Sequence, residues 1–464
     1  MESFTNITFN EIKVGDTASV TRRLSKTEVE ALALVGGDVD AFQIVEGAAL
    51  PQGQVRTEAV GAEALLSGLL NRKLPGPGTT IAAQDLKFTG SVETGDELVA
   101  TVTARQKRPK EKLIVFDCRV KSDGQELVTG TVTVKAPEKR LTYTDVATPQ
   151  VILRRTDKYA RLLKDCEKLP PVTCIVAHPC DRDSLLGPIE AAKMGLIHPV
   201  LVGPENKIRA IAEAEKVDLS PYKLVSAEHS HASAEKAVAL VRAGEGEALM
   251  KGSLHTDELM AAVVSSVTGL RTSRRISHVF LMDVPTHPTP LAITDAAINI
   301  TPTLEDKMHI AQNVIDLLLV LGVKEPKVAI LSAVETVNPK IPSTLDAAAL
   351  CKMADRGQIT GGILDGPLAF DNAISQQAAK IKKIDSPVAG KADVLLVPDL
   401  EAGNILAKQL QYLAGADAAG IVLGARVPII LTSRADAVIT RLASCAVASL
   451  VADARRASAQ RAIR

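Results

Sequence analysis

Aromatic residues are nearly missing from this chain of 464 residues, in which Trp is absent and Phe, Trp and Tyr together make up 2%. The cores must therefore be built from aliphatic side chains, and little material remains for stacking on nucleic-acid bases. Neither sign of charge is in excess, because Lys plus Arg and Asp plus Glu both number 54. This balance gives no reason to expect a nucleic acid or an acidic membrane as partner.

The sequence also lacks a disulfide framework, a zinc motif and a membrane span. Its six cysteines are scattered and never form a CxxC pair, which predicts reduced thiols and no metal site. No apolar run approaches the roughly 18 residues that a spanning helix requires, and no basic stretch leads into an apolar one at the N-terminus. We therefore expect a soluble, cytoplasmic protein.

The length predicts about three compact units of about 150 residues each. Within residues 1–137 the sequence pattern changes from helical to β-rich. Residues 138–150 contain proline and charged residues, and their apolar residues do not recur at the spacing of a helix or a strand. From residue 151 onward strands and helices alternate. We predict an N-terminal domain at 1–137, a linker at 138–150 and an α/β domain at 151–464.

The N-terminal region predicts a helix at 25–34, opened by a capping box of Ser25 and Glu28, and a longer helix at 58–70. Four β-rich runs follow, separated by Gly-containing turns. They occupy residues 79–88, 97–105, 112–120 and 126–134. A long helix followed by an antiparallel meander is typical of an α+β hotdog domain.

The order of Val14-Gly-Asp16, Gly36-Gly-Asp38, Leu74-Pro-Gly-Pro-Gly78 and the four strands resembles MaoC-type (R)-enoyl-CoA hydratases. That resemblance implies a catalytic Asp and His. Asp38 matches the Asp, but Gln43 stands where the His belongs, and all eight histidines of the chain lie at residue 178 or later. A Gln amide cannot accept a proton near neutral pH.

Asp38 and Gln43 therefore form a vestigial hydratase site in this interpretation, with Asp38 bracing its loop. We expect the domain to serve dimerisation or acyl-CoA binding. Residual hydratase activity in the N-terminal domain remains an alternative, as does a non-catalytic acyl-CoA binding protein.

Residues 151–464 predict a mainly parallel sheet built from βαβ units. The predicted strands lie at 172–177, 199–202, 248–250, 278–284, 327–331, 362–365, 394–397 and 427–431. Small or polar residues follow most of these strands; we call the residues directly after the C-terminal end of a strand its exit. Parallel strands would bring these exits to one edge of the sheet, where helix N-termini favour the binding of anions. Neither a Gly-x-Gly-x-x-Gly nor a P-loop motif is present.

The stretch 392–436 is the most informative, because two apolar runs end there on polar turns. One ends at Pro398-Asp399, and the other ends at Thr432-Ser433-Arg434. We expect an anionic substrate at these turns.

Eight separated segments, in order, resemble the phosphate acetyl/butyryltransferase family. They are Leu249-Met-Lys-Gly252, Thr268-Gly-Leu-Arg271, Ile276-Ser-His278, Thr294-Asp-Ala-Ala-Ile-Asn299, Lys327-Val-Ala-Ile-Leu-Ser-Ala-Val-Glu335, Gly366-Pro-Leu-Ala-Phe-Asp-Asn-Ala373, Pro398-Asp-Leu-Glu-Ala-Gly-Asn404 and Thr432-Ser-Arg434.

The resemblance implies a two-lobed α/β fold similar to isocitrate and isopropylmalate dehydrogenases, with the active site between the lobes. Lobe one would comprise about 151–285 and 435–464, and lobe two about 286–434. The implied reaction is reversible transfer of a short acyl group, such as acetyl, propionyl or butyryl, between CoA and inorganic phosphate. A homodimer or higher homo-oligomer without a bound cofactor or metal is implied as well.

This chemistry needs a cation for the phosphate, a donor for the oxyanion and a base for the CoA thiol. The guanidinium of Arg434 suits bidentate phosphate binding, Ser433 can donate beside it, and Lys251 is a second cation. The predicted bases are Asp371, Asp399 and Asp436. Further substrate-binding positions are Gly252, Ser332, Gly366, Pro367, Gly403 and Asn404.

Structural alternatives stay open at this point. Arg434 could pair with Asp436, Ser433 and the aspartates could cap helices, and Lys251 could bridge the lobes. Acetyltransferase members carry an acidic residue in the helix after Ser-Arg, whereas Thr440 stands there in this chain, so the base remains open. His178 and Cys180, at a strand exit, are expected to pack because no third partner is identifiable.

Overall fold

The computed structural model describes residues 3–36, 56–144, 158–431 and 438–463. The chain separates into two compact units, Met1–Arg154 and Arg155–Arg464.

The N-terminal unit contains short strands, two α-helices and four long strands. In chain order they are β1 (Ser3–Thr5), β2 (Thr17–Arg23), α1 (Lys26–Gly36), β3 (Arg56–Glu58), a 3-10 helix (Ala59–Ala62), α2 (Glu63–Arg72), β4 (Thr80–Phe88), β5 (Ser91–Glu93), β6 (Glu97–Arg108), β7 (Leu113–Ser122), β8 (Gln125–Lys135) and β9 (Thr142–Thr144).

An antiparallel sheet in the order β2-β6-β7-β8-β4 dominates this unit. Helix α2 buries Leu66, Leu69 and Leu70 in one core with side chains of the sheet such as Phe116. A sheet that wraps one helix is the predicted hotdog arrangement. The predicted capping box also forms, since the backbone N–H of Ser25 donates to Glu28 at 2.9 Å.

Several features of this unit differ from the prediction. The helix predicted at 58–70 begins only at Glu63, after β3 and the 3-10 helix, and the short strands β1, β3 and β5 were not predicted. Strand β2 was not predicted, because most of its side chains are exposed and it therefore lacks an alternating apolar signal. Strand β9 lies inside the predicted linker, where it pairs with β1. Part of the predicted linker is thus an ordered strand of the N-terminal unit.

The second unit alternates strands and helices. In chain order they are α3 (Lys158–Cys166), β10 (Val172–Ala177), α4 (Arg182–Lys193), β11 (Ile197–Gly203), α5 (Glu205–Ala214), β12 (Lys223–Ser226), α6 (Ser230–Arg242), β13 (Ala248–Lys251), α7 (Thr256–Val264), β14 (Ser277–Asp283), β15 (Leu291–Thr294), α8 (Leu304–Val320), β16 (Lys327–Leu331), α9 (Pro342–Asp355), β17 (Ile363–Leu368), α10 (Phe370–Ile374), α11 (Gln376–Ile381), β18 (Val394–Leu396), α12 (Leu400–Tyr412), β19 (Asp417–Leu423), β20 (Ile429–Ile430) and α13 (Val438–Ile463).

The described strands form one sheet in the order β12-β11-β10-β13-β20-β19-β14-β15-β18-β16-β17. Its first five strands are mutually parallel, and so are its last four. Between them, β19 and β14 pair antiparallel with each other and with their outer neighbours. The two parallel groups consequently run in opposite directions, and the prediction that all exits share one edge was wrong.

Strands β15 and β19 explain this error, because neither was predicted. The first half of β19 consists of Asp, Ala, Ala and Gly, which have low strand propensity, and β15 has only four residues. Strand β20 comes from the range predicted as lobe two, yet it lies beside β13 in the first half of the sheet.

The six cysteines are not paired with one another in the structure. In the described ranges, no helix has the length and apolarity to cross a membrane.

Candidate active site

In the first half of the sheet, the exits of β10 and β13 are joined through backbone hydrogen bonds. The N–H of Gly252 donates to Ala177 O at 2.8 Å, and the N–H of Ser253 donates to His178 O at 2.9 Å. A Cβ atom at position 252 would lie 2.4 Å from the carbonyl oxygens of Ala177 and His178, so only glycine fits. Lys251, directly before it, donates to Gly252 O at 3.2 Å. The predicted pair Lys251 and Gly252 thus sits at a strand exit.

In the second half of the sheet, Ser332 and the Gly366-Pro367 pair lie close to each other. The N–H of Ser332 donates to Leu368 O at 2.9 Å, and its hydroxyl lies 2.9 Å from that of Ser343. A Cβ atom at position 366 would lie 2.7 Å from Ile330 O. These residues therefore form one tightly packed exit of β16 and β17.

The third predicted group, Asp399, Gly403 and Asn404, lies at the start of α12. Asp399 caps the helix by accepting from the N–H of Ala402 at 2.9 Å. The amide of Asn404 donates to Ala296 O at 3.0 Å, and a Cβ atom at position 403 would lie 2.7 Å from Asp295 O. The first turns of α12 are therefore fixed against the segment that follows β15.

That segment holds a buried polar chain to which the sequence analysis gave no role. The Asp295 carboxylate accepts from the N–H groups of Ala297 and Ile298 at 2.9 and 3.0 Å, and also from the Asn299 amide. Asn299 in turn accepts from Arg275 at 2.7 Å. The signal in the sequence was an Asp followed four residues later by an Asn, but its partner Arg275 lies 24 positions away.

A cleft of about 1060 Å³ joins the two halves of the sheet at this point. Side chains of α7 and of residues 271–276 line one wall, and residues 297–300 with Leu400 line the other. The lining carries both signs of charge, because Asp257, Glu305 and Asp306 accompany Arg271, Arg274 and Arg275. Arg274 pairs with Asp316 at 3.5 Å, and Arg275 pairs with Asp306 at 3.4 Å. A volume of this size exceeds that of usual small-molecule pockets, so it can accommodate a long cofactor-like substrate.

His278, on β14, is buried behind this cleft, and its Nδ1 has no hydrogen-bond partner among the described residues. Its ring packs edge-on against Phe280 with 4.3 Å between ring centroids. Burial lowers the pKa of His278 to about 4, and the Asp295 carboxylate opposes this effect only in part. His278 is therefore a neutral core residue near the cleft.

Asp371 has a different setting, because it is exposed on the short helix α10. Lys382 lies 3.2 Å from its carboxylate and also pairs with Glu335 at 3.4 Å. The hydrogen bond from Lys382 holds the pKa of Asp371 below its usual range. Among the residues that the structure describes, neither Asp371 nor any other predicted site residue lines the cleft described above.

Ser433, Arg434 and Asp436, together with Asp38 and Gln43, lie outside the described residues. Thr440, which replaces the acidic residue of the acetyltransferase pattern, is buried at 3% exposure in α13. Across the described ranges no three His, Cys, Asp or Glu side chains are grouped so that they could hold a metal ion.

Comparison with known proteins identifies the second unit. A family model for phosphate acetyl/butaryl transferases matches residues 230–449. The phosphate acetyltransferase of Rhizobium meliloti is 67% identical over 301 residues, which cover 65% of this chain and 95% of that protein. The chain belongs to this family.

Further members of the phosphate acetyl/butyryltransferase family support the assignment. The phosphate butyryltransferase of Clostridium acetobutylicum is 41% identical over 263 residues, covering 57% of this chain and 87% of that protein. The crystal structure of a branched-chain phosphotransacylase from Enterococcus faecalis V583 matches 60% of this chain and 99% of its own, with 29% identity and a TM-score of 0.53. The α/β fold of the second unit is thus that of the phosphotransacylases.

Proposed function

We propose that this protein catalyses the reversible transfer of a short acyl group between CoA and inorganic phosphate. The observation that carries the proposal is the 67% identity that extends over 95% of a phosphate acetyltransferase. The reaction converts acyl-CoA and phosphate into acyl phosphate and free CoA. The substrates are therefore CoA, an acetyl, propionyl or butyryl thioester, and phosphate.

The cleft supports this proposal through its size. CoA is a long molecule, and the cleft offers about 1060 Å³. Lys251 at the exit of β13 remains the second cation of the proposal, with Gly252 allowing close backbone approach. Ser332, Gly366, Pro367, Gly403 and Asn404 are the further substrate-binding positions.

Arg434 and Ser433 are assigned to the reacting phosphate by the family motif. Strand β20, which precedes this motif in the chain, pairs with β13, whose last residue is Lys251. A guanidinium there can hold two phosphate oxygens, and a serine hydroxyl can donate to the oxyanion of the tetrahedral intermediate.

The oligomeric state and the domain arrangement are inferred from the resemblance to the phosphate acetyl/butyryltransferase family. We expect a homodimer or higher homo-oligomer, a two-lobed arrangement like that of isocitrate and isopropylmalate dehydrogenases, and no bound cofactor or metal. A division into an N-terminal domain and an α/β domain belongs to this proposal, with dimerisation or acyl-CoA binding as the role of the first domain.

The reaction is tested by incubating the full chain with acetyl-CoA, propionyl-CoA or butyryl-CoA and following thiol release with and without phosphate. We expect thiol release that requires phosphate with at least one of these thioesters. Equal thiol release without phosphate, or none with any thioester, would refute the proposal.

Replacing Arg434 by Ala tests the phosphate site. Loss of a preorganised charged donor costs on the order of 10²- to 10³-fold in turnover, and we expect that loss with unchanged secondary structure by circular dichroism. Arg434→Lys is the matched control, because it keeps the charge without the planar fork and should retain intermediate activity. Wild-type turnover in Arg434→Ala would contradict the assignment.

A further inference from the structure

A second cavity, here called the α8–α13 pocket, lies between helices α8 and α13. Its volume is about 450 Å³, which is within the range of small-molecule sites. Each helix contributes one stripe of side chains at helical spacing, and residues 423–426 complete the lining. The stripes are residues 313, 316, 317 and 320 of α8 and residues 451, 454, 455 and 458 of α13.

The charged residues of the α8–α13 pocket are three arginines and one acid, namely Arg274, Arg426, Arg455 and Asp316. Arg274 and Asp316 pair with each other, which leaves the guanidinium groups of Arg426 and Arg455. Among the residues that the structure describes, no carboxylate lies within ion-pair distance of either group. The pocket therefore carries an excess of positive charge.

Arg455 is the cation of this pocket that most requires a partner. Its side chain is partly buried, and it donates a hydrogen bond to the backbone oxygen of Arg426 at 2.6 Å. Burial lowers the pKa of Arg455, and no neighbouring acid offsets this effect. Removing a charge from water is costly, and buried charges in proteins are normally paired. The guanidinium of Arg455 thus lacks a counter-ion beside a cavity that has room for one.

The apolar part of the lining indicates which anion fits. Leu317, Val320, Leu423 and Val451 line the same cavity as the arginines. A guanidinium binds either a carboxylate or a phosphate through two parallel hydrogen bonds. Inorganic phosphate would leave the apolar side chains in contact with water, whereas an alkyl chain would cover them. The lining therefore favours a carboxylate that carries a short alkyl chain.

We propose that the α8–α13 pocket binds a small carboxylate with a short alkyl chain and that this ligand regulates the cleft. Arg455 and Arg426 hold the carboxylate, and the alkyl chain packs against the apolar side chains of α8 and α13. The regulatory part of the proposal rests on the acyl transfer proposed above, whereas the binding part does not.

The pocket and the cleft share the segment 271–276. Thr272 and Arg274 line both cavities. The Thr272 hydroxyl donates to Gly424 O at 2.6 Å, and a Cβ atom at position 424 would lie 2.3 Å from Arg275 O. The lining of the pocket is thus fixed directly against a wall of the cleft, so a ligand in the pocket acts on that wall.

Arg274 gives the expected direction of regulation. Its guanidinium lies 3.5 Å from the Asp316 carboxylate, which is longer than the roughly 2.7–2.9 Å of a charge-assisted hydrogen bond. The Gln312 amide donates to Asp316 at 2.8 Å and restrains that carboxylate. A ligand carboxylate can therefore draw Arg274 into the pocket, which withdraws a cation from the cleft. Because CoA carries phosphate groups, the KM for acyl-CoA should rise.

Binding is measured on the full chain by NMR titration with hexanoate, butyrate and inorganic phosphate as probes. We expect hexanoate to bind more tightly than butyrate, and Arg455→Met to weaken hexanoate binding at least about tenfold, because it keeps the apolar stem and removes the charge. Arg455→Lys keeps the charge without the planar fork and should bind with intermediate affinity. Arg209→Met, at an exposed arginine of α5, is the control and should bind like the wild type.

Steady-state kinetics tests the regulatory part. Saturating hexanoate should raise the wild-type KM for acyl-CoA at least about fivefold. In Arg455→Met the KM should not respond to hexanoate, while kcat without hexanoate stays near the wild-type value. This comparison separates the pocket from direct competition in the cleft, because competition in the cleft would persist in the variant.

Equal affinity of hexanoate for the wild type and Arg455→Met would overturn the carboxylate site. So would phosphate binding that depends on Arg455 while hexanoate binding does not. A KM that does not change when hexanoate is bound, or that changes equally in Arg455→Met, would overturn the regulation. Absence of phosphate-dependent turnover in the wild-type protein would refute the proposed function instead, since the binding titration requires no turnover.

Discussion

His278 is a neutral histidine held in an apolar environment next to the cleft. Its folded pKa is about 4, against about 6.5 for an exposed histidine. The unfolded chain therefore takes up a proton first as the pH falls. The stabilisation is complete above pH 6.5 and is lost progressively down to the folded pKa.

We predict that this residue makes the second unit acid-sensitive. Linkage gives a loss of about 2 kcal/mol in unfolding free energy between pH 7 and pH 5 from this group alone. Urea denaturation at the two pH values measures it, with His278→Gln as the comparison because the amide does not titrate. Equal pH dependence in both proteins would contradict the prediction.

Single residues at strand exits were the most predictable part of the site. Lys251, Gly252 and Asp399 follow apolar runs directly, so the chain itself fixes their position at the ends of strands. The pairing of Arg275 with Asn299 was not predictable, because it depends on how two distant loops meet. The hydrogen bond between His178 and Ser233 was not predictable for the same reason, because these residues lie 55 positions apart.

At the scale of elements, the start of α12 forms part of the cleft wall. Leu400, its first residue, lines the cleft, and Asp399 caps the helix. The capping role predicts that Asp399→Ala lowers the unfolding free energy by about 1 kcal/mol and changes kcat by less than about threefold.

Asp399→Ser is the matched control for this element. Serine also caps helices but cannot act as a base, so a capping role predicts near wild-type stability and kcat. A loss of about 100-fold in kcat in the Ser variant would show instead that the carboxylate is the catalytic base.

Helices and strands with a clear apolar pattern and flanking turn residues were predicted well. The remaining strands form because neighbouring strands pair with them, which the local sequence does not show. The four long strands of the N-terminal unit carry alternating side chains and turn signals. By contrast, β19 is rich in Ala and Gly at its start and becomes a strand only because β14 and β20 pair with it. Because β15 and β19 were not predicted, the antiparallel pairing at the centre of the sheet was not predicted either.

At the scale of the whole molecule, the second unit can be tested for activity as a separate fragment. The relative from Rhizobium meliloti is matched over 95% of its length by 301 residues of this chain, and the second unit spans Arg155–Arg464. We predict that a fragment of residues 155–464 retains phosphate-dependent thiol release within about tenfold of the full chain. Loss of this activity in a folded fragment would show that the N-terminal unit contributes to the reaction.

The N-terminal unit itself should not hydrate crotonyl-CoA, because no histidine precedes residue 178. Spectrophotometric hydration assays on the full chain check this. Rapid hydration that is lost in Asp38→Ala would revive the hydratase alternative.

The central claim is transfer of an acyl group from the CoA thiol to phosphate. The most direct measurement counts both products in one reaction, with acyl phosphate trapped as its hydroxamate and thiol determined in the same sample. We predict one acyl phosphate for each thiol released, both dependent on phosphate. Thiol release without acyl phosphate would indicate simple thioester hydrolysis and would contradict the claim.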